Sequence, residues 1–239
     1  MIDQALNFLD DRVFYADMID LVTRGESILA AGPAGVLIQN WDGTYMMAAT
    51  DEDSARRLLN LISPDHCECI VVHNDSAVGL VEERFGFDRH TRCIASAYYG
   101  APLPQSPRTD LSIHPLTPQW VDLVSASYSL DGPDYIRTRI DAGEMWGAFL
   151  GDDLAGFIGL HEEGSMGMLV VFEQYRRQGI AEYLMIDLAN RMLAQGCTPH
   201  DHIIVGNLAS ESLQRKLGFS ISTRTLTWMS RGTHGPIEE

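Results

Sequence analysis

The stretch Tyr175-Arg176-Arg177-Gln178-Gly179-Ile180-Ala181 sets two arginines, a glutamine and a glycine ahead of an apolar-periodic run. Ala181, Leu184, Met185, Leu188, Ala189, Met192 and Leu193 recur at helical spacing, and the preceding segment GMLVVF is strongly apolar. The pattern predicts a strand, a tight turn and a helix. A helix start presents unpaired backbone N–H groups and the positive end of the dipole, and Gly179 permits close backbone approach. With Arg176 and Arg177 adding charge, the segment suits an anion such as a pyrophosphate. A plain turn with two solvated arginines fits the same residues, and the spacing by itself leaves both readings open.

Two other clusters hold metal-ligating residue types. His66-Cys67-Glu68-Cys69 and His200-Asp201-His202 are each short and lack a partner set, so isolated side chains are the better reading and no metal is expected. The four cysteines, Cys67, Cys69, Cys93 and Cys197, show no C-x-x-C spacing and read as reduced core or near-core thiols.

At 239 residues, with 45% hydrophobic and 21% charged residues, the chain is long enough for one large domain or two small ones. Its formal charge of −16 leaves no basic stripe to displace counterions from a phosphate backbone, so nucleic acid is not an expected partner. Acidity suits a cationic amine substrate, and it equally suits plain solubility. Apolar runs such as ECIVVHN and MGMLVVF fall far short of the ~20 residues that span a bilayer. The N-terminus MIDQALNFLDD lacks the basic start and apolar core of a signal peptide, so the default expectation is a cytoplasmic protein without membrane contact.

The elements that must position the charged turn follow from periodicity. Helical patterns cover 3–25, 51–62 and 76–85, with strands at 26–31, 34–40, 44–49, 68–73 and 91–99. The segment GAPLPQSPRTD reads as a linker. Beyond it, strands are expected at 110–114, 145–150, 154–161, 165–172, 201–206 and 221–230, and helices near 118–128 and at 133–142, 178–195 and 208–217.

The two halves are similar in more than order. At an offset of 121 residues, Ala34-Gly35 falls on Ala155-Gly156, Asp42-Gly43 on Glu163-Gly164, Thr44 on Ser165, Met47 on Met168 and Thr50 on Val171. VEERFGF (81–87) lies over LQRKLGF (213–219) if the first half has eleven residues fewer in between. The shortening falls on the charged turn: TDEDSARRLLNLI stands where the second half has VFEQYRRQGIAEYLMIDLANRML. This is an internal repeat, with domain duplication as its expected cause.

Residues 108–231 resemble the GNAT superfamily of acyl-CoA-dependent N-acyltransferases. The superfamily's motif of Gln or Arg, two residues, Gly, one residue, then Gly or Ala is matched by Arg176, Gly179 and Ala181, and NLASESLQRKLGF resembles the next motif in order. The chain is also distantly similar to glycine N-acyltransferase-like proteins. The resemblance implies an α/β (α+β) fold of two tandem GNAT-like domains, each a mixed, mostly antiparallel central sheet flanked by helices. Residues 1–105 would be a degenerate copy without a coenzyme site, and residues 106–239 the acyltransferase.

The family's mechanism can be placed on these residues. The implied reaction is direct attack by a primary amine of a small molecule on the thioester of acetyl-CoA, the cosubstrate. Backbone N–H groups of Leu169, Val170 and Val171 would polarise the carbonyl. The pyrophosphate would lie on Arg176, Arg177, Gln178, Gly179, Ile180 and Ala181, and Asn207, Ser210 and Gln214 would line the pantetheine side. An alkylammonium is mostly protonated at pH 7, so a base is needed, and Glu163, Glu162 and His161 are the candidates. HEEG also reads as an acidic hairpin turn, and His161 as a hydrogen-bonded strand residue. A homodimer is compatible with the resemblance.

The sequence departs from the family in places. Ser165 stands where many members have a glutamate, Gln214 where they have a tyrosine acid, and Glu173 where a proline is common. A thiol with a pKa of about 8.5 leaves without a strong acid, so water or Ser212 could supply the proton. The missing groups keep a non-catalytic acyl-CoA sensor in view as an alternative, beside a peptide or protein N-acetyltransferase.

Overall fold

The computed structural model describes residues 1–105, 108–128, 130 and 132–231. The first half runs α1 (Ile2–Phe8), α2 (Ala16–Arg24), β1 (Ser27–Gly32), β2 (Gly35–Gln39), β3 (Tyr45–Ala49), α3 (Glu52–Leu59), β4 (Cys69–Val72), α4 (Val78–Phe85) and β5 (Arg89–Ala97). One helix across 3–25 was the expectation, but the chain breaks between Phe8 and Ala16. There the Asp11 carboxylate accepts the backbone N–H of Phe14 at 3.1 Å, a local bond that competes with the helical ladder while Phe14 goes fully into the core.

The second half runs β6 (Leu111–Pro115), α5 (Val121–Ser127), α6 (Pro133–Asp141), β7 (Met145–Leu150), β8 (Asp153–Leu160), β9 (Met166–Val171), α7 (Ile180–Ala194), β10 (His200–Ile204), α8 (Leu208–Lys216) and β11 (Ser220–Ser230). Pairing is antiparallel except for β3 with β4 and β9 with β10. The fold is therefore the expected mixed, mostly antiparallel sheet with flanking helices.

The chain forms two compact units that do not follow its midpoint. Of the described residues, one holds Met1–Ala97, His202–Arg215 and 219–231; the other holds those of Tyr98–Asp201 and Lys216–Gly218. In the first, the strand order is β1-β2-β3-β4-β11-β5 followed by the end of β10, and in the second β10-β9-β8-β7-β6. The last strand, β11, lies in the first unit because it pairs with β4 (Thr227↔Val72) on one side and with β5 (Thr227↔Arg92) on the other. In the second unit, Ile136 and Ile140 of α6 pack with Phe157, Met168 and Leu116, so α6 is fixed on the sheet. Part of the expected linker is pinned to α7: Leu103 N–H donates to Asn190 Oδ1 at 2.7 Å, and Asn190 Nδ2 donates to Leu103 O at 2.9 Å. Residues 106 and 107 of that linker lie outside the described residues.

The repeat is visible bond by bond. Asn40 N–H donates to Thr44 O and Gly43 N–H to Asn40 O; His161 N–H donates to Ser165 O and Gly164 N–H to His161 O, with all four distances between 2.9 and 3.0 Å. Gly35 and Gly156 are equivalent too: a Cβ on either would sit 2.5 or 2.6 Å from a partner-strand carbonyl, that of Ala48 or Val170. The offset then slips by one residue. Thr50 N–H donates to Ala34 O, whereas Phe172 N–H donates to Ala155 O, so Thr50 corresponds to Phe172 and not to Val171.

Candidate active site

The slipped residue is the first feature of the site. β9 pairs with β8 as Leu160↔Met166 and Gly159↔Gly167, then as Phe157↔Val170 and Gly156↔Val171, so β9 carries one extra residue. Met168 absorbs it with φ 51°, a left-handed backbone that non-glycine residues rarely adopt. Its buried side chain packs on Phe157 and the core of α6, which holds the bulge in place. The equivalent pair β2–β3 has an unbroken register, Gly35↔Ala49 to Gln39↔Tyr45. The parallel neighbours also differ. β3 pairs with β4 at three positions, Tyr45↔Ile70 to Met47↔Val72, while β9 pairs with β10 at Asp201↔Met166 alone. From Gly167 onward, among the described residues, β9 has a ladder to β8 only. On its other edge, along Leu169 to Val171, no strand pairs among the described residues, and Val171 O accepts Arg176 Nε at 3.2 Å.

The second feature follows β9. A 3-10 turn at Glu173–Tyr175 leads into Arg177 with φ 63° and Gly179 with φ 78°. Left-handed residues alternating with ordinary ones are the backbone pattern of a nest, in which successive N–H groups turn to one side. α7 starts at once, fifteen residues long, with no side-chain cap on its first N–H groups. Arg176, Arg177, Gln178 and Gly179 are exposed, while Ile180 is buried and anchors the helix. Arg108 Nη1 donates to Gln178 O and holds the loop. The first half has none of this: α3 is eight residues long, and Asp51 caps it by accepting Ser54 N–H at 2.7 Å.

The HEEG turn sorts its candidates by environment. Glu163 is buried, and its Oε1 accepts the Ser165 hydroxyl. Glu162 is half-buried. His161 is half-buried with its ring over Gly167, where a Cβ would lie 2.3 Å from His161 Nε2. On its other side, His161 Nδ1 lies 2.9 Å from the Tyr135 hydroxyl, with the rings stacked at 28°. Tyr135 and Gly167 were not singled out in the sequence. No spacing rule joins a helix residue to a strand end 26 positions away.

Residues 114–219 match the acetyltransferase (GNAT) family. The chain carries a GNAT acetyltransferase domain. Solved structures share its fold at low identity. A Drosophila protein is 18% identical over 82% of this chain and 74% of its own, with a TM-score of 0.65. A GNAT-family acetyltransferase from Colwellia psychrerythraea is 15% identical, covering 83% and 81% of the two chains, with a TM-score of 0.51. A tandem GNAT protein from the clavulanic acid biosynthesis pathway is 13% identical, covering 99% and 96%, with a TM-score of 0.50. No curated protein sequence matches the chain. The GNAT family uses acetyl-CoA as cosubstrate, and the nest and uncapped helix start of this domain fit a pyrophosphate.

The remaining expected coenzyme contacts, Asn207, Ser210 and Gln214, fall in the first compact unit. Asn207 is exposed, and its Oδ1 accepts Ser210 N–H at 3.1 Å, capping α8. Gln214, at the position of the tyrosine of many GNAT proteins, is 1% exposed; it accepts from Ser96 Oγ and donates to Ser210 Oγ at 3.2 Å. No helix of the described residues is long and apolar enough to cross a membrane.

One cluster beyond the GNAT motifs brings three potential metal ligands together: Asp17, His73 and His202, all within the first unit. Asp17 Oδ1 takes a 3.1 Å hydrogen bond from His73 Nε2, and Oδ2 lies 3.2 Å from His202 Nε2. Trp228 Nε1 donates to His202 Nδ1 at 3.0 Å. An indole nitrogen only donates, so the neutral imidazole of His202 carries its hydrogen on Nε2, toward Asp17. The His202 atom a metal would need as a lone pair is thus a donor, while Asp17 Oδ2 and His73 Nδ1 are buried without a geometric hydrogen bond. In the other sequence cluster, burial pushes the Cys67 thiol up to about 12, which makes it a poor ligand and nucleophile.

Proposed function

We propose that the GNAT domain, taken as residues 106–239, transfers an acyl group, acetyl in the first instance, from acyl-CoA to a primary amine of a small molecule. Residues 1–105 are then a degenerate copy with no coenzyme site. The observation that carries this reading is the difference between the two helix starts. α7 opens on the Arg177–Gly179 nest with its N–H groups uncapped, and α3 opens on the carboxylate of Asp51. Pyrophosphate would lie on Arg176, Arg177, Gln178, Gly179, Ile180 and Ala181, and the thioester carbonyl on N–H groups of the β9 edge without a strand partner, at Leu169 to Val171.

His161 is the base this geometry favours, ahead of Glu162 and Glu163. In the competent tautomer, Nδ1–H donates to the Tyr135 oxygen and leaves the Nε2 lone pair over Gly167 for the proton of the attacking ammonium. Tyr135 fixes the ring and its tautomer, as a positioning residue. Glu163 is already engaged by Ser165 in the turn. The amine nitrogen bonds the thioester carbon, the C–S bond breaks, and the second proton shed by the nitrogen reaches the leaving thiolate through water.

The buried, doubly bonded Gln214 is what favours the second reading, a non-catalytic acyl-CoA sensor, since it replaces the usual acid with a structural amide. Free-thiol release from acetyl-CoA over a panel of small amines separates the two. Release above the buffer rate with at least one amine supports transfer. Binding of acetyl-CoA with no release by any amine or peptide supports the sensor.

A further inference from the structure

Arg139 lies on α6, one turn beyond Tyr135, and is 6% exposed. Its Nε–H donates to Leu160 O at 2.8 Å. Among the described residues it forms no ion pair, and Nη1 and Nη2 make no hydrogen bond. In a chain of formal charge −16, carboxylates are plentiful, yet none of the described ones forms an ion pair with this cation. The residue is largely buried but its Nη atoms are not among the buried unpartnered ones, so a cation with little solvent around it keeps an open fork that an anion would stabilise. With Nε anchored to the strand, the remaining Nη1/Nη2 fork is pre-oriented and matches the two oxygens of a carboxylate.

Leu160, which holds Arg139, directly precedes His161, which Tyr135 holds from the same helix. The anion fork and the proposed base are therefore fixed by consecutive residues of one strand end. We infer that Arg139 is a carboxylate subsite for the amine acceptor, so that the acceptor is a compact amino acid whose amine and carboxylate lie close together. This rests on the acyl-transfer reading for the identity of the ligand as an acceptor. One guanidinium balances the single charge of a carboxylate and leaves a phosphate monoester, with a charge of about −1.5 to −2, under-compensated.

The test is calorimetric titration of the full chain with N-acetyl amino acids and with their methyl esters, which lack the anion but keep the rest. Acids should bind at least tenfold more tightly than their esters, and Arg139→Lys, which keeps the charge but loses the fork, should narrow that ratio severalfold. Thermal melting reveals whether Arg139→Gln still folds, but the wild-type ratio decides without it. Equal affinity for acids and esters, or no binding by any acid, overturns the subsite. If acids bind while no amine releases thiol from acetyl-CoA, the transfer reading falls and the subsite stands.

Discussion

The Asp51 carboxylate accepts the backbone N–H of Ser54 at 2.7 Å, so helix α3 begins on an anion of its own. That bond is the first cause holding the Asp51 carboxyl below the usual range. An internal carboxylate thus stands in the first half where the second half offers bare N–H groups. Asp51→Ala should lower the thermal midpoint slightly, through loss of the cap, and should create no second acetyl-CoA site. Appearance of a second equivalent in that variant would show that the capping carboxylate alone had been blocking a competent site.

His161 should be needed for turnover and dispensable for coenzyme binding. His161→Asn is expected to lower kcat by about 10² to 10⁴, with acetyl-CoA affinity little changed and the loss shrinking at high pH, where free amine forms unaided. Tyr135→Phe should reduce kcat less and displace the pH–rate profile. Glu163→Gln should affect the melting midpoint more than kcat, because its carboxylate serves the turn. If Glu162→Gln or Glu163→Gln abolishes turnover while His161→Asn retains it, the base is a carboxylate.

Asp17 ties pH to stability. Burial alone would raise its pKa, but the electrostatic pull and the hydrogen bonds of His73 and His202 prevail, and the carboxyl sits well below its ordinary value. A depressed folded pKa contributes stability above the unfolded value of about 3.9 and loses it as pH falls through the folded one. Asp17→Asn should therefore cost about 1.5–3 kcal/mol in urea unfolding at pH 7, the range for hydrogen bonds to a charged group, and progressively less as pH falls below about 4. An equal cost at both pH values would contradict this account of the cluster.

Cys67 should be inert in the folded chain. Its thiol, pushed up to about 12 by burial, should resist iodoacetamide at pH 8 and react once the chain is unfolded in urea. Modification of Cys67 in the native chain, located by mass spectrometry, would show that this part of the core opens.

Local signals carried much of the architecture. The apolar stripe from Leu184 to Met192 gave α7, Gly179 gave its start, and alternation gave strand Met145–Leu150 to the residue. The helix break at Asp11 was missed because an aspartate bonding back to the chain is a three-residue event inside a longer apolar period. The bulge at Met168 was hidden because a gapless alignment of the repeat runs straight through it; it becomes visible only as the switch from Gly159↔Gly167 to Phe157↔Val170. β11 gave a clear strand pattern but no hint that its partners are β4 and β5, since pairing is long-range. Tyr135, Gly167 and Arg139 escaped for the same reason: each acquires its meaning from a residue on another element.

The central claim is that this chain has one coenzyme site, at the nest before α7. Calorimetric titration of the full chain with acetyl-CoA tests it directly, alongside Gly179→Trp, which puts a bulky side chain at a φ of +78° with open space before it. One equivalent should bind per chain, with at least a tenfold loss of affinity in the variant. Two equivalents per chain, or unchanged affinity in a folded Gly179→Trp protein, would contradict it.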